Sequence, residues 1–124
     1  MKQFILLHNS DDNTLVSINV ERIVCAAFAN PDHKSSVVHI YGEETNPIHV
    51  NEKPNDILKR IDGYCKFILV HSKTTNNDII IPNGFVIKVR EHPNGGSVIT
   101  IDNPAFAAFE VNESVTSVTD MLNA

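Results

Sequence analysis

The sequence predicts an α+β fold: an internal duplication of a β-β-β-β-α unit, packed as one pseudo-two-fold-symmetric domain over residues 1–124. Three observations carry this expectation. Two sets of apolar blocks recur in the same order, each set closes on a short helical pattern, and HVNE (49–52) is echoed by EVNE (110–113) at the same place in each set. The internal repeats run over 2–62 and 65–122.

The alignment supports each element in turn. FILLHN (4–9) matches FILVHS (67–72), and SSVVHIYGEETNPIHVNE (35–52) matches GSVITIDNPAFAAFEVNE (96–113) without a gap. The spacing changes between these blocks, where CAAFANPDHKS (25–35) gives way to the shorter KVREHPNGG (88–96). Both versions hold turn-forming residues, and length changes are tolerated in exposed turns. The first strand of each repeat is Phe4–His8 or Phe67–His71. The second starts near Leu15 or Ile79 and bends near Asn19 or Pro82, because proline cannot donate within a sheet.

The third and fourth strands alternate apolar and polar residues and form a hairpin. Pairing Ile40 with Ile48 and Val38 with Val50 gathers apolar side chains on one face; Ile101 with Phe109 and Ile99 with Val111 do the same. A one-residue slip would turn these sets outward. The helix of the first repeat, KPNDILKRI, has Pro54 in its first turn and Lys59 and Arg60 in its last. That of the second, SVTSVTDML, opens on Ser114, a good N-cap. Ile57, Leu58 and Ile61 make one apolar stripe; Val115, Val118 and Leu122 make the other. Such short helices hold by docking onto sheets. One repeat alone would be marginal, and DGYC (62–65) is too short a link for two independent domains. The echoed residues Val50, Asn51 and Glu52, with Val111, Asn112 and Glu113, read as structural marks: a strand end, a turn and a carboxylate favoured by the helix dipole.

INVERIV (18–24), the hairpin and the V-x-E triplet resemble the short FlbD-type proteins of bacterial flagellar operons. The matching residues are Val16, Ile18, Asn19, Ile23, Gly42, Val50, Glu52, Ile57 and Ile61. The resemblance covers 2–61 and, more loosely, 65–122, where Pro82 and Asn103 replace Asn19 and Gly42. It implies the strand and helix order but no activity. A more distant likeness to LytTR-type DNA-binding domains implies, as an alternative, a nucleic-acid-binding regulator. Readout of that kind needs basic loops, whereas Lys53, Lys59, Arg60, Lys66, Lys73, Lys88 and Arg90 are scattered.

With 42% hydrophobic and 20% charged residues the composition is that of a globular chain, and the net charge of −5 works against a general polyanion binder. The apolar run Phe4–Leu7 is too short for a signal sequence, and no run approaches a membrane span. Cys25 and Cys65 follow no metal or redox spacing and read as small core residues of a cytoplasmic protein.

The proposed register makes His39 and His49 direct cross-strand neighbours on an outer face, the nearest approach to a metal site. Two ligands do not complete one, and the second repeat has Thr100 and Glu110 there. His8 and His71, alternating with Phe and Leu, read as hydrogen-bonded residues ending core-facing rows. NGG (94–96) is hairpin-turn chemistry, and NSDDN (9–13) lacks the Gly and Glu of a calcium loop. No catalytic constellation and no cofactor motif is visible. The sequence thus points to a non-enzymatic accessory protein of bacterial or phage type that binds a protein partner or self-assembles.

Overall fold

The computed structural model describes residues 4–28, 35–61 and 63–124. The chain is an α+β protein, with ten strands and two α-helices among the described residues. The first run holds β1 (Phe4–His8), β2 (Leu15–Asn19), β3 (Ile23–Phe28), β4 (Ser36–Ile40), β5 (Ile48–Val50) and α1 (Pro54–Ile61). The second holds β6 (Phe67–His71), β7 (Asp78–Pro82), β8 (Val86–Glu91), β9 (Ser97–Ile101), β10 (Phe109–Val111) and α2 (Val115–Asn123).

Each run therefore has five strands rather than the four expected. The long second strand is cut by a 3-10 turn, Val20–Arg22 or Asn83–Phe85. Asn19 accepts a hydrogen bond from the Glu21 amide at 3.0 Å, and Pro82, lacking an N–H, ends β7. Both helices start where expected. Ser114 caps α2 by accepting from the Ser117 amide at 3.1 Å, and Ile57 and Ile61 are the buried stripe of α1. Of the segment where the spacing of the runs changes, residues 29–34 lie outside the described residues.

The hairpin register differs from the expected one by two residues. Val38 faces Ile48 and Ser36 faces Val50; in the second run Ile99 faces Phe109 and Ser97 faces Val111. A shift of two keeps every side chain on its face, so the apolar pattern does not discriminate against it. What it adds is a partner for a buried hydroxyl. Ser36 Oγ donates to the Glu52 carbonyl at 2.6 Å, and Ser97 Oγ to the Glu113 carbonyl at 2.8 Å.

The strands form sheets in the orders β1-β2, β5-β4-β3-β7-β6 and β10-β9-β8. Isolated bridges, Asn9 to Val50 and Ser72 to Val111, join them end to end. The result is one succession, β2-β1-β5-β4-β3-β7-β6-β10-β9-β8. The runs meet where β3 pairs antiparallel with β7, Ala26 opposite Ile80 and Ala27 opposite Ile79. A two-fold relation would repeat that contact between β8 and β2, yet among the described residues each of these has one strand neighbour only.

The junction is buried on both faces. Ile80 of the second run enters the first core with Ile23, Ala26, Ile57 and Ile61, and Phe67 and Leu69 pack against it. Val24 and Cys25 of the first run enter the second core with Ile79, Ile81, Ile99 and Val118. Each run completes the other's core.

Candidate functional site

The echoed triplets fasten the first strand of each run to the start of its helix. Val50 and Val111 are wholly buried. Asn51 donates from Nδ2 to Asn13 Oδ1 at 3.0 Å, and Asn112 to Asn76 Oδ1 at 2.7 Å. Among the described residues, Asn13 and Asn76 are the non-glycine ones with positive φ, 59° and 60°, in the β1–β2 and β6–β7 connections. Asparagine tolerates that left-handed backbone better than other side chains. Glu52 Oε1 accepts from the His8 amide at 3.0 Å and Oε2 lies 2.8 Å from His8 Nδ1; Glu113 and His71 repeat this at 3.0 and 2.6 Å.

Glu52 and Glu113 thus clamp a strand as well as leading a helix. Burial opposes their ionisation, but the hydrogen bonds from the histidine ring and amide outweigh it and hold both carboxyls below the usual range. His71 has a second carboxylate, with Asp78 Oδ1 3.0 Å from Nε2. The hydrogen bond to Glu113 raises its pKa, burial opposes this, and the charges of Glu113 and Asp78 add to the rise. Leu15 stands where Asp78 does, so His8 has no such second partner among the described residues.

His8 does not end a core-facing row. Ile5 and Leu7 point into the core, which puts Phe4, Leu6 and His8 on the opposite face of β1, with Phe4 58% and Leu6 54% exposed. Both rows are apolar, so alternation did not select the buried one. His8 and His71 are each bound to the glutamate of their own run.

The two-residue register shift also separates the other histidine pair. His49 faces Val37, and His39 faces Cys25. His39 is not solvent-facing: its ring stands edge-on to Phe106 at 4.9 Å and 88°, and its Nδ1 is buried without a hydrogen-bond partner. Burial lowers its pKa, with a smaller contribution from His49. Among the described residues no group of three His, Cys, Asp or Glu side chains could hold a metal ion. Nothing in the sequence points to Phe106, and Asn103 shows there only as a departure from the repeat, yet both lie in the β9–β10 loop and reach the first run. Asn103 Nδ2 donates to Glu44 Oε2 at 2.9 Å, drawing the Glu44 pKa down.

Cys25 is buried, and burial pushes its thiol up to about 12. Cys65 is exposed rather than a core residue, because it falls in the turn between α1 and β6. Among the described residues no helix is long and apolar enough to cross a membrane.

Among the described residues, the two ends of the strand succession carry exposed large apolar side chains. β8 carries Ile87, 60% exposed, and β2 carries Leu15, 61% exposed, beside Phe4 and Leu6 on β1. An edge strand presents a row of unpaired amides and carbonyls that another chain can pair with. Comparisons of the chain with protein-family models, with curated proteins and with solved structures each find no match.

Proposed function

We propose that the chain is two fused copies of one strand-rich unit and that it is a non-enzymatic accessory protein acting through protein binding at its sheet edges. The duplication is supported by contacts that recur at aligned residues: the His8–Glu52 and His71–Glu113 clamps, the Asn51–Asn13 and Asn112–Asn76 bonds, and the buried Ser36 and Ser97. The one-sided β3–β7 contact favours a head-to-tail relation of the copies over a pseudo-two-fold. The observation that carries the binding reading is the pair of edge strands, β2 and β8, each with one strand neighbour among the described residues and flanked by exposed large apolar side chains.

The test is capture from source-cell lysate with the tagged full chain, before and after nuclease, beside the edge variants Leu6→Glu and Ile87→Glu. A protein retained through nuclease and lost with a variant supports edge binding. Retained material that disappears on nuclease treatment would instead favour the nucleic-acid-binding regulator, despite the net charge of −5.

A further inference from the structure

We infer that the partner is a second copy of this chain, β8 of one molecule pairing antiparallel with β2 of the next; this rests on the edge-binding reading above. The template is the contact inside the chain. There β7 lies beside β3 with α1 packed on both strands. Counterparts of these residues stand 63 positions away (24 to 87, 67 to 4), and at the outer ends they are uncovered. Val24 is wholly buried in the second core, whereas its counterpart Ile87 is 60% exposed. Phe67 and Leu69 pack against the first core, whereas Phe4 and Leu6 are 58% and 54% exposed. Three of the large apolar side chains left in water, Phe4, Leu6 and Ile87, are thus ones whose counterparts close the internal junction, whereas Leu15, whose counterpart is Asp78, is not.

Each end is also shaped for its complement. A groove of about 350 Å³ between β8 and α2, lined by Val86, Ile87, Val89 and Leu122 together with the polar Asn83, Lys88 and Thr119, lies where the internal template puts an incoming strand. A second, of about 290 Å³, borders β2 and is lined by Ile18, Ile40, Tyr41 and Ile48 together with Ser17, Asn19, Arg22 and Glu43. Carrying the internal pairing across by the same 63-residue step sets Val89 opposite Ser17 and Arg90 opposite Val16. Five counterparts on β8 and β2 are polar where β3 and β7 are apolar: Lys88 for Cys25, Arg90 for Ala27, Glu91 for Phe28, Ser17 for Ile80 and Asn19 for Pro82. The Lys88 stem can lie along apolar surface while its ammonium stays in water. These polar positions make the contact reversible rather than permanent, since obligate interfaces are the more hydrophobic ones.

The two surfaces differ, so the contact is heterologous. It closes into a ring if the rotation between molecules allows and otherwise extends as a filament. Both grooves belong to one molecule, and every molecule added exposes the same two ends.

Sedimentation velocity of the full chain over a range of concentrations tests this, with Leu6→Glu and Ile87→Glu each confirmed folded by circular dichroism. The native chain associates with rising concentration. Either variant weakens association by roughly a hundredfold, the cost of burying one carboxylate in an apolar contact. An equimolar mixture of the two gives a 1:1 dimer and stops there, because one variant keeps β8 intact and the other keeps β2. A native chain that stays monomeric, variants that assemble as the native chain does, or a mixture without the dimer would overturn the inference. If a different protein is nonetheless captured from lysate and lost with the variants, edge binding stands and only the identity of the partner falls.

Discussion

Replacing Ile80 by alanine tests whether the two runs share one folding unit. Ile80 belongs by sequence to the second run, but its side chain is fully buried in the first core, on a strand against which α1 packs. Truncating a buried isoleucine to alanine costs about 2–5 kcal/mol, and a site walled by β3 and α1 should lie near 3. With a urea slope of about 1.5 kcal/mol/M for a domain this size, the unfolding midpoint falls by roughly 2 M. Amides that exchange through global unfolding should speed up by about a hundredfold. The informative amides are in the first run, at Ile57 and Ile61 of α1 and Val38 of β4, because those elements carry no mutation. Native-state hydrogen exchange reads them directly. Equal acceleration in α1 and α2 fits cores that complete one another. Acceleration confined to residues 65–124, with 4–61 unchanged, would refute the shared core.

Further outcomes follow from individual contacts. The folded pKa of His71 is raised above 6.5, so its stabilisation is present below that value and lost as pH rises through the raised one. That of Glu113 is depressed below 4.5, so its contribution is present above 4.5 and lost as pH falls through the lowered value. The clamp therefore contributes most between pH 4.5 and 6.5. Thermal melts of His71→Gln should show a flatter pH profile on the alkaline side; an unchanged profile would contradict the assignment. Gly96 has φ +78°, and a Cβ there would sit 2.2 Å from the Val111 carbonyl oxygen. Gly96→Ala should lose about 2–4 kcal/mol in a denaturant titration, and a neutral result would mean that this turn is built differently. A thiol reagent should modify Cys65 in the native protein and Cys25 only after unfolding; equal rates would contradict the burial of Cys25.

What was legible in the sequence is what short-range patterning encodes. The extents of β1 and β6, the two helices, the Ser114 cap and the turn at 94–96 follow from alternation, helical spacing and turn chemistry. Other features depend on choices the pattern leaves degenerate. Slips of two residues preserve both faces of a hairpin, and here the choice is made by Ser36 and Ser97 reaching the Glu52 and Glu113 carbonyls. Phe4, Leu6 and Ile5, Leu7 are equally apolar rows, so only the packed structure shows which faces inward. The turns after Asn19 and Pro82 read as bends in one strand because apolar residues continue across them.

The triplet at 50–52 was visible as an echo, but not its work. The clamp on His8 needs β1 and the start of α1 side by side, and sequence spacing does not supply that. His39 looked solvent-facing because its cover, Phe106, comes from the other run. The β3–β7 pairing was equally hidden, since no residue on a strand edge names its neighbour. It is also what leaves β2 and β8 at the open ends.

Amide exchange of the full chain at low and at high protein concentration tests the role of those ends most directly. Residues 15–19 of β2 and 86–91 of β8 should gain protection together as concentration rises, while β4 and β9, already paired on both sides, do not change. Protection that stays constant along β2 and β8, or that rises at some other surface, would contradict it.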